Sequence, residues 1–164
     1  MLLNNFSNIL SAKLTYGTGS TLGDKVKYIK TTDGTIYENS VKTTDVYLNK
    51  VPTSGNTYPE QSGIKLVIAN DENEIDYYDY KIDNIDNQLT EISTIINNSN
   101  NYIISKIVKN NTTNDISINT IGVIEKCWIN IHNTLKDILI YKKKLNDTIK
   151  IEPGETKTFT ITIG

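Results

Sequence analysis

The sequence contains very little cysteine and histidine, the residues on which many redox, metal and nucleophilic sites depend. There is one cysteine, Cys127, and one histidine, His132, among 164 residues. A single cysteine excludes an internal disulfide, and a single histidine excludes a metal site made of several histidines. Cys127 stands beside Trp128 in an isoleucine-rich segment, so we expect a buried structural thiol. We predict a protein that is not an enzyme and that has no catalytic, cofactor-binding or metal-binding residues.

Neither sign of charge is in clear excess, and long apolar runs are absent. The 17 basic residues face 19 acidic ones, which gives a net charge of -2. Domains that bind nucleic acids normally show a clear basic excess, so we expect no nucleic-acid partner. The short lysine run at 142–144 is interpreted as a solvated strand face or edge. No apolar run approaches the roughly 20 residues that span a membrane, and no charged-then-apolar leader opens the chain. We expect no membrane partner and synthesis in a cytoplasm.

Two segments resemble ligand-binding motifs but lack residues that those motifs require. The glycine-rich segment 17–25 ends in Gly23-Asp24-Lys25, where a phosphate-binding loop needs Gly-Lys-Ser/Thr. We interpret this segment as a flexible turn. Several aspartates have a spacing that calcium ligands could use, but Lys81 interrupts them, and the central glycine and final glutamate of an EF-hand are missing. A weak calcium site stays open for them, although a solvated acidic loop is favoured: Asp76, Asp79, Asp83 and Asp86.

Alternation of apolar and polar residues predicts short β-strands through most of the chain. In the last of them, residues 156–163, apolar side chains alternate with threonines, which places one face of the strand on a core. Apolar residues between residues 82 and 96 instead recur at spacings of three or four, which predicts a helical turn within irregular backbone. They are Ile82, Ile85, Leu89, Ile92, Ile95 and Ile96. We predict an all-β fold, an antiparallel β-sandwich of immunoglobulin-like or jelly-roll-like type with long loops. The sandwich is a single domain over residues 13–164, and residues 1–12 form an N-terminal arm.

Two turns have specific sequence signals. Asp33-Gly34 stands between two alternating runs and predicts a hairpin whose central residues both have positive φ. Pro153-Gly154 predicts a type II turn, because proline fixes φ near -60° and glycine accepts the positive φ that follows.

The order of short motifs over residues 64–163 resembles that of small virion proteins of tailed bacteriophages. These motifs are an apolar strand at 64–69, Asp79-Tyr80-Lys81-Ile82, an asparagine-rich turn at 110–111, Ile121-Gly122-Val123, and a terminal hairpin at Pro153-Gly154-Glu155-Thr156. The chain departs from the family pattern at Thr120, where the family has glutamate, and at 70–73, where the family has Gly-Thr-Gly. The resemblance implies a non-enzymatic capsid auxiliary or decoration protein that binds and stabilises neighbouring virion subunits.

The resemblance also implies a location and partners. It places the protein in the virion, assembled in the cytoplasm of a bacterial host, as a homo-oligomer that contacts the major capsid protein or tail and collar proteins. Two alternatives stay open: a tail, collar or head-fibre-associated protein, and a carbohydrate- or receptor-binding module. Tyrosine is enriched at interfaces, so we predict contact residues in the arm and in the loops 52–63 and 71–80. These residues are Leu2, Leu3, Phe6, Ile9, Leu10, Tyr58, Tyr77, Tyr78 and Tyr80.

Overall fold

In a computed structural model, the chain is described over residues 1–7, 28–38, 46–47, 64–97, 102–129 and 134–163. Within these ranges it is built of β-strands, with one helical turn at residues 4–7. The all-β prediction is therefore confirmed. The strands are β1 (Tyr28–Lys30), β2 (Ile36–Glu38), β3 (Val46–Tyr47), β4 (Ile64–Ala69), β5 (Thr90–Asn97), β6 (Tyr102–Lys109), β7 (Ile116–Ile129), β8 (Thr134–Ile151) and β9 (Thr156–Ile163).

The strands form three sheets in the described part of the chain. β1 and β2 form a hairpin, and β5, β6 and β9 form a three-stranded sheet in the order β5-β6-β9. In the third sheet β7 lies between β3 and β4, and β8 also pairs with β7. The chain divides into two compact units, each with buried apolar side chains of its own. The prediction of one sandwich domain over residues 13–164 stays a prediction.

The first unit comprises Met1–Lys65, Glu74–Ile82 and Gly122–Lys142. Its described core combines side chains of the N-terminal segment, of the β1–β2 hairpin, and of the parts of β7 and β8 that belong to this unit. Each such side chain contributes about 1.5–3 kcal/mol when it is fully removed from water. The buried apolar residues are Leu3, Ile29, Tyr37, Ile82, Val123, Ile124, Ile138, Leu139 and Ile140.

The second unit comprises Leu66–Asn73, Asp83–Ile121 and Lys143–Gly164. In its three-stranded sheet β6 and β9 pair residue for residue, so that Ile104 stands opposite Ile161. Both of these side chains are buried, whereas Thr158 and Thr160 on the other face of β9 are exposed. The alternation predicted for the last strand is confirmed, because only one face of this sheet is covered.

The segment before β6 corrects one prediction. A helical turn with irregular backbone was expected between residues 82 and 96, but Thr90–Asn97 is a strand that pairs with β6. The register shifts between Glu91 and Ser93, which marks a β-bulge. Ile92 and Ile95 are 56% and 57% exposed. Their spacing therefore does not mark the buried face of a helix.

Both predicted turns form, one of them with a different geometry. The Glu155 N–H donates to the Glu152 carbonyl oxygen at 3.0 Å, and Gly154 has φ of 80°, as a type II turn requires. In the β1–β2 hairpin, Gly34 has φ of 86° but the residue before it does not have positive φ. The Gly34 N–H donates to the Thr31 carbonyl oxygen at 2.8 Å. The glycine thus follows the turn in the left-handed region, as in hairpins with three-residue loops.

Asp33 organises the same hairpin loop. Its Oδ1 accepts hydrogen bonds from Thr31 Oγ1 at 2.5 Å and from the Thr35 N–H at 3.0 Å. Its Oδ2 lies 2.6 Å from Lys136 Nζ. The lysine first, and then the hydroxyl of Thr31, hold the pKa of the Asp33 carboxyl well below its usual value. The hydrogen bond to Asp33 in turn raises the pKa of Lys136.

This arrangement predicts a pH dependence of stability. Because the pKa of Asp33 is lower in the folded chain than in the unfolded chain, its contribution is complete at neutral pH. The contribution is lost as the pH falls below about 4 towards the folded pKa. We expect Asp33→Asn to flatten the loss of unfolding free energy between about pH 5 and pH 2, with a smaller difference at high salt because Asp33 is exposed. Urea titrations of both proteins at each pH measure this, and equal pH slopes would contradict it.

Candidate interaction surface

Two exposed tyrosines stand side by side on a loop of the first unit, Glu74–Ile82, which we call the tyrosine loop. Tyr77 is 39% exposed and Tyr78 is 63% exposed. Their rings meet edge to face, with centroids 5.2 Å apart and planes at 77°. Tyrosine pairs combine a large apolar area with hydroxyl groups, which suits contacts between proteins.

Two aspartates give the tyrosine loop its shape. Asp76 Oδ1 accepts a hydrogen bond from the Tyr78 N–H at 2.7 Å. Asp79 Oδ2 accepts one from the Asp76 N–H at 3.2 Å, and the Asp79 N–H donates to the Asp76 carbonyl oxygen at 3.0 Å. Aspartate side chains that accept from nearby backbone N–H groups stabilise tight turns. The two tyrosines are therefore presented by a turn of defined geometry.

A buried lysine anchors this turn to β8. Lys142 is only 1% exposed, and its Nζ lies 2.9 Å from Asp79 Oδ2. A buried ammonium group needs an opposite charge or hydrogen-bond acceptors to offset its desolvation. The interpretation of lysines 142–144 as a solvated face is wrong for Lys142, because this side chain points into the first unit. The position of the tyrosine loop thus depends on an ion pair between residues distant in sequence.

Residues 1–7, the arm segment, lie along β8 beside the tyrosine loop. Leu2 forms a β-bridge with Tyr141, and the Leu3 N–H donates to the Ile140 carbonyl oxygen at 3.0 Å. The Asn4 N–H donates to the Tyr77 carbonyl oxygen at 2.9 Å. These hydrogen bonds bring the arm segment and the exposed tyrosines into one surface. Met1 and Leu2 are 46% and 37% exposed there.

Asn5 fixes the arm segment to two strands of the first unit. Its side chain is 3% exposed. Nδ2 donates to the Lys30 carbonyl oxygen at 2.8 Å and to the Leu139 carbonyl oxygen at 3.3 Å, while Oδ1 accepts from the Lys30 N–H at 3.1 Å. Amide side chains that donate to and accept from backbone groups in the interior specify the position of a segment closely. The arm segment is part of the first unit's packed structure.

Tyr80 differs from its two neighbours. Its ring is half-buried, and Lys30 Nζ lies 3.5 Å from the ring centroid. An ammonium group over an aromatic face is attracted by the ring quadrupole. Tyr80 therefore stabilises the loop against β1, and less of its ring is available for a partner.

The predicted contact residues divide according to burial. Leu2, Tyr77 and Tyr78 are exposed on the surface just described, and Phe6 and Tyr80 are half-buried. Leu3 is fully buried, so it cannot contact a neighbouring subunit while the arm segment holds this position. The loop 52–63 with its Tyr58, and the two arm residues Ile9 and Leu10, lie outside the described part of the chain.

Sequence reasoning missed two contributors to this surface. Met1 was not selected, although an apolar residue at the start of the arm is a visible signal. Lys142 was assigned to solvent, because its residue type is the same as that of its two neighbours in the lysine run. Its alternation with the buried Ile140 along β8 is the only sequence signal that could have found it.

The aspartates with calcium-like spacing serve separate structural purposes. Asp79 pairs with Lys142, and Asp83 Oδ2 accepts from Asn73 Nδ2 at 3.0 Å. Asp86 Oδ2 accepts from the Leu89 N–H at 2.9 Å. Throughout the described ranges, no group of three or more His, Cys, Asp or Glu side chains is placed to hold a metal ion.

The second unit has a polar groove of about 480 Å³. Its lining is mostly amide, carboxylate and hydroxyl groups, with Ile85 as an exposed apolar contact. Such groups donate to and accept from neutral polar ligands. The lining residues are Asn70, Asn84, Ile85, Asp86, Asn87, Gln88, Asp115, Ile116 and Ser117.

No helix in the described part of the chain is long and apolar enough to cross a membrane. Comparison of the chain with protein-family models, with curated proteins and with solved structures gave no match.

Proposed function

We propose that the protein is a non-enzymatic structural protein of a tailed-bacteriophage virion, an auxiliary or decoration protein that binds and stabilises neighbouring capsid subunits. The observation that carries the proposal is the exposed pair Tyr77 and Tyr78, which stands beside exposed Met1 and Leu2 on a well-anchored part of the first unit. The motif order over residues 64–163 supports the same role. The strands are proposed to form a β-sandwich.

The geometry of the tyrosine loop suits binding to a protein surface. Most of the binding energy of protein interfaces comes from a few side chains, among which tyrosine is enriched. Ordering a mobile loop on binding costs free energy, and a loop already fixed by hydrogen bonds avoids much of that cost. Asp76, Asp79 and Lys142 supply this fixation before any partner arrives.

The proposal is non-enzymatic because the acidic groups nearest the exposed surface already have structural partners. Asp76 caps the turn, and Asp79 neutralises the buried Lys142. A catalytic acid or base must instead be free to exchange a proton with a substrate. The structural roles of these two carboxylates in the tyrosine loop explain their presence there.

Virion incorporation tests the proposal directly. In virions from a phage that carries the Tyr77→Ser/Tyr78→Ser gene, we expect at least about a tenfold fall in copies per major capsid protein, because two central aromatic contacts are lost. Quantitative mass spectrometry of purified virions measures the ratio. Ile36→Ser is the matched control, since Ile36 is 49% exposed on β2 of the same unit but is not part of the proposed surface.

The number of copies per major capsid protein in wild-type virions decides between a decoration protein and a tail, collar or head-fibre protein. A copy number close to that of the capsid protein, or a simple fraction of it, supports a decoration protein. A few copies per particle would move the protein to the tail, collar or head fibre. Complete absence from virions would overturn the structural role, and unchanged incorporation of the double variant would overturn the tyrosine surface.

A carbohydrate-binding role is the second candidate, and the polar groove of the second unit favours it. The groove offers carboxylate and amide groups for hydroxyls, with Ile85 as an apolar contact. Of its two lining aspartates, Asp115 forms an ion pair with Lys150 at 2.6 Å, and the charge of Asp86 disfavours anionic sugars. Binding of wild-type protein to neutral glycans on an array, lost in Asp86→Ala, would favour this role.

A further inference from the structure

Among the strands that the structure describes, β5 is an edge strand of the second unit. In the described three-stranded sheet it pairs with β6 alone, and the order is β5-β6-β9. Two of its isoleucines, Ile92 and Ile95, are more than half exposed, at 56% and 57%. A strand edge carries backbone N–H and C=O groups that can pair with another strand, and apolar side chains on it favour such pairing.

The bulge in β5 explains why both isoleucines reach solvent. Glu91 stands opposite Val108 and Ser93 opposite Ile107, so that Ile92 has no residue opposite it on β6. Ile95 stands opposite Ser105, and Ser105 hydrogen-bonds to Thr160 on the outer face at 3.0 Å. Ile95 therefore lies on the outer face of the sheet.

The edge has few of the features by which proteins usually prevent unwanted pairing. Between residues 90 and 97 there is no proline and no lysine. The single charged side chain, Glu91, forms an ion pair with Lys106 at 2.9 Å. The opposite edge strand, β9, carries Lys157, and lysines on an edge oppose association. The bulge is the only such feature that β5 has.

We propose that two copies of the chain associate by antiparallel pairing of their β5 strands about a two-fold axis, so that the two three-stranded sheets become one. A two-fold pairing places the same strand against itself. The partner strand belongs to a second copy of the chain because β5 is close to neutral. Pairing of β5 with itself therefore places no uncompensated like charges opposite each other. The proposal deepens the structural role proposed above and rests on it for the biological setting, while the contact itself is tested in solution.

Sedimentation equilibrium of the full chain over a wide concentration range tests the pairing. We expect wild type to dimerise and Ile95→Lys to raise the dissociation constant by at least about tenfold, because a charge replaces an apolar side chain at the contact. Thr158→Lys is the matched control: it adds the same charge at an exposed position of the same sheet, on β9. Its dissociation constant is expected to stay within about threefold of wild type.

Amide hydrogen exchange gives a second readout that does not depend on a variant. Backbone amides of β5 should exchange more slowly at high than at low wild-type concentration, while those of β9 should not change. Circular dichroism of each variant confirms that it is folded, and Ile95→Thr, a strand-compatible change, replaces Ile95→Lys if the lysine variant is not.

The outcomes separate this inference from the proposed function. A wild-type chain that stays monomeric, equal weakening by Ile95→Lys and Thr158→Lys, or concentration-dependent protection at β9 would each overturn the β5 pairing. Loss of virion incorporation in Tyr77→Ser/Tyr78→Ser with an unchanged dimer supports both proposals independently. A normal dimer in a protein that is absent from virions overturns the virion role alone.

Discussion

Replacing Asn110 with alanine is expected to lower the free energy of unfolding by about 2–4 kcal/mol. Asn110 is fully buried in the second unit. Its Nδ2 donates to the Asn114 carbonyl oxygen at 2.8 Å and to the Ile151 carbonyl oxygen at 2.9 Å. Its Oδ1 accepts from the Thr112 N–H at 2.9 Å and from Thr112 Oγ1 at 2.7 Å. Alanine removes all of these bonds, and a buried carbonyl oxygen that loses its donor pays the full desolvation penalty.

The variant should still fold, because the backbone of Asn110 keeps its own hydrogen bonds. The Asn110 N–H donates to the Glu155 carbonyl oxygen at 2.9 Å, and the Gly154 N–H donates to the Asn110 carbonyl oxygen at 2.7 Å. Urea denaturation followed by circular dichroism measures the loss. Asn111→Ala is the control, since this neighbour is exposed and donates one side-chain hydrogen bond, to Thr90 Oγ1 at 2.9 Å. We expect it to change stability by no more than about 0.5 kcal/mol, and equal losses in the two variants would contradict the prediction.

The same contacts explain why two of the sequence motifs occur together. The asparagine-rich turn after β6 and the Pro-Gly-Glu-Thr turn before β9 are far apart in the chain, yet they bond to each other through Asn110, Gly154 and Glu155. Each turn supplies acceptors or donors that the other needs. The two motifs therefore belong to one structural unit, although the sequence predicted each turn only by itself.

Strands with one covered face were also predictable. β9 alternates strictly because its core face holds Phe159 and Ile161 while the other face is exposed. Type II turn geometry at Gly154 followed from two residues alone, because proline and glycine restrict the backbone locally. Such signals need no knowledge of distant parts of the chain.

β5 was not predicted as a strand because its sequence does not alternate between a covered and an exposed face. Its bulge interrupts the period of two, and Ile92 and Ile95 face solvent instead of a core. Counting apolar residues at spacings of three and four between residues 82 and 96 combined buried Ile82 with exposed Ile85, Ile92 and Ile95. The spacing resembled a helical face although these residues share no buried surface.

The candidate surface depends on long-range contacts, so the sequence predicted only part of it. The exposed tyrosines were selected because their residue type favours interfaces. The burial of Leu3 and Lys142 was not foreseen, since it is set by partners that lie far away in the chain. Tyr80 was selected with the other tyrosines, but it is half-buried and has Lys30 over its ring, which the sequence did not indicate.

Gly122→Ala is expected to lower the free energy of unfolding by about 1–3 kcal/mol through overpacking. Gly122 is buried in β7. A Cβ added there would overlap Ile82 Cδ1, and it would lie 3.0 Å from the Tyr141 carbonyl oxygen and 3.4 Å from Leu139 Cδ1. The backbone oxygen on the adjacent strand cannot move without disturbing the sheet, whereas Ile82 can move only within a closely packed core. Thermal or urea unfolding of the variant measures the loss.

A double-mutant cycle identifies the cause. Ile82→Val removes the Cδ1 atom that the new methyl group would meet, and by itself it should cost about 0.5–1.5 kcal/mol as a core truncation. If steric overlap with Ile82 dominates, Gly122→Ala/Ile82→Val will be less destabilised than the sum of the two single variants by at least about 0.5 kcal/mol. Additive losses would show that the close approach to the Tyr141 carbonyl oxygen, and not the isoleucine side chain, requires glycine at this position.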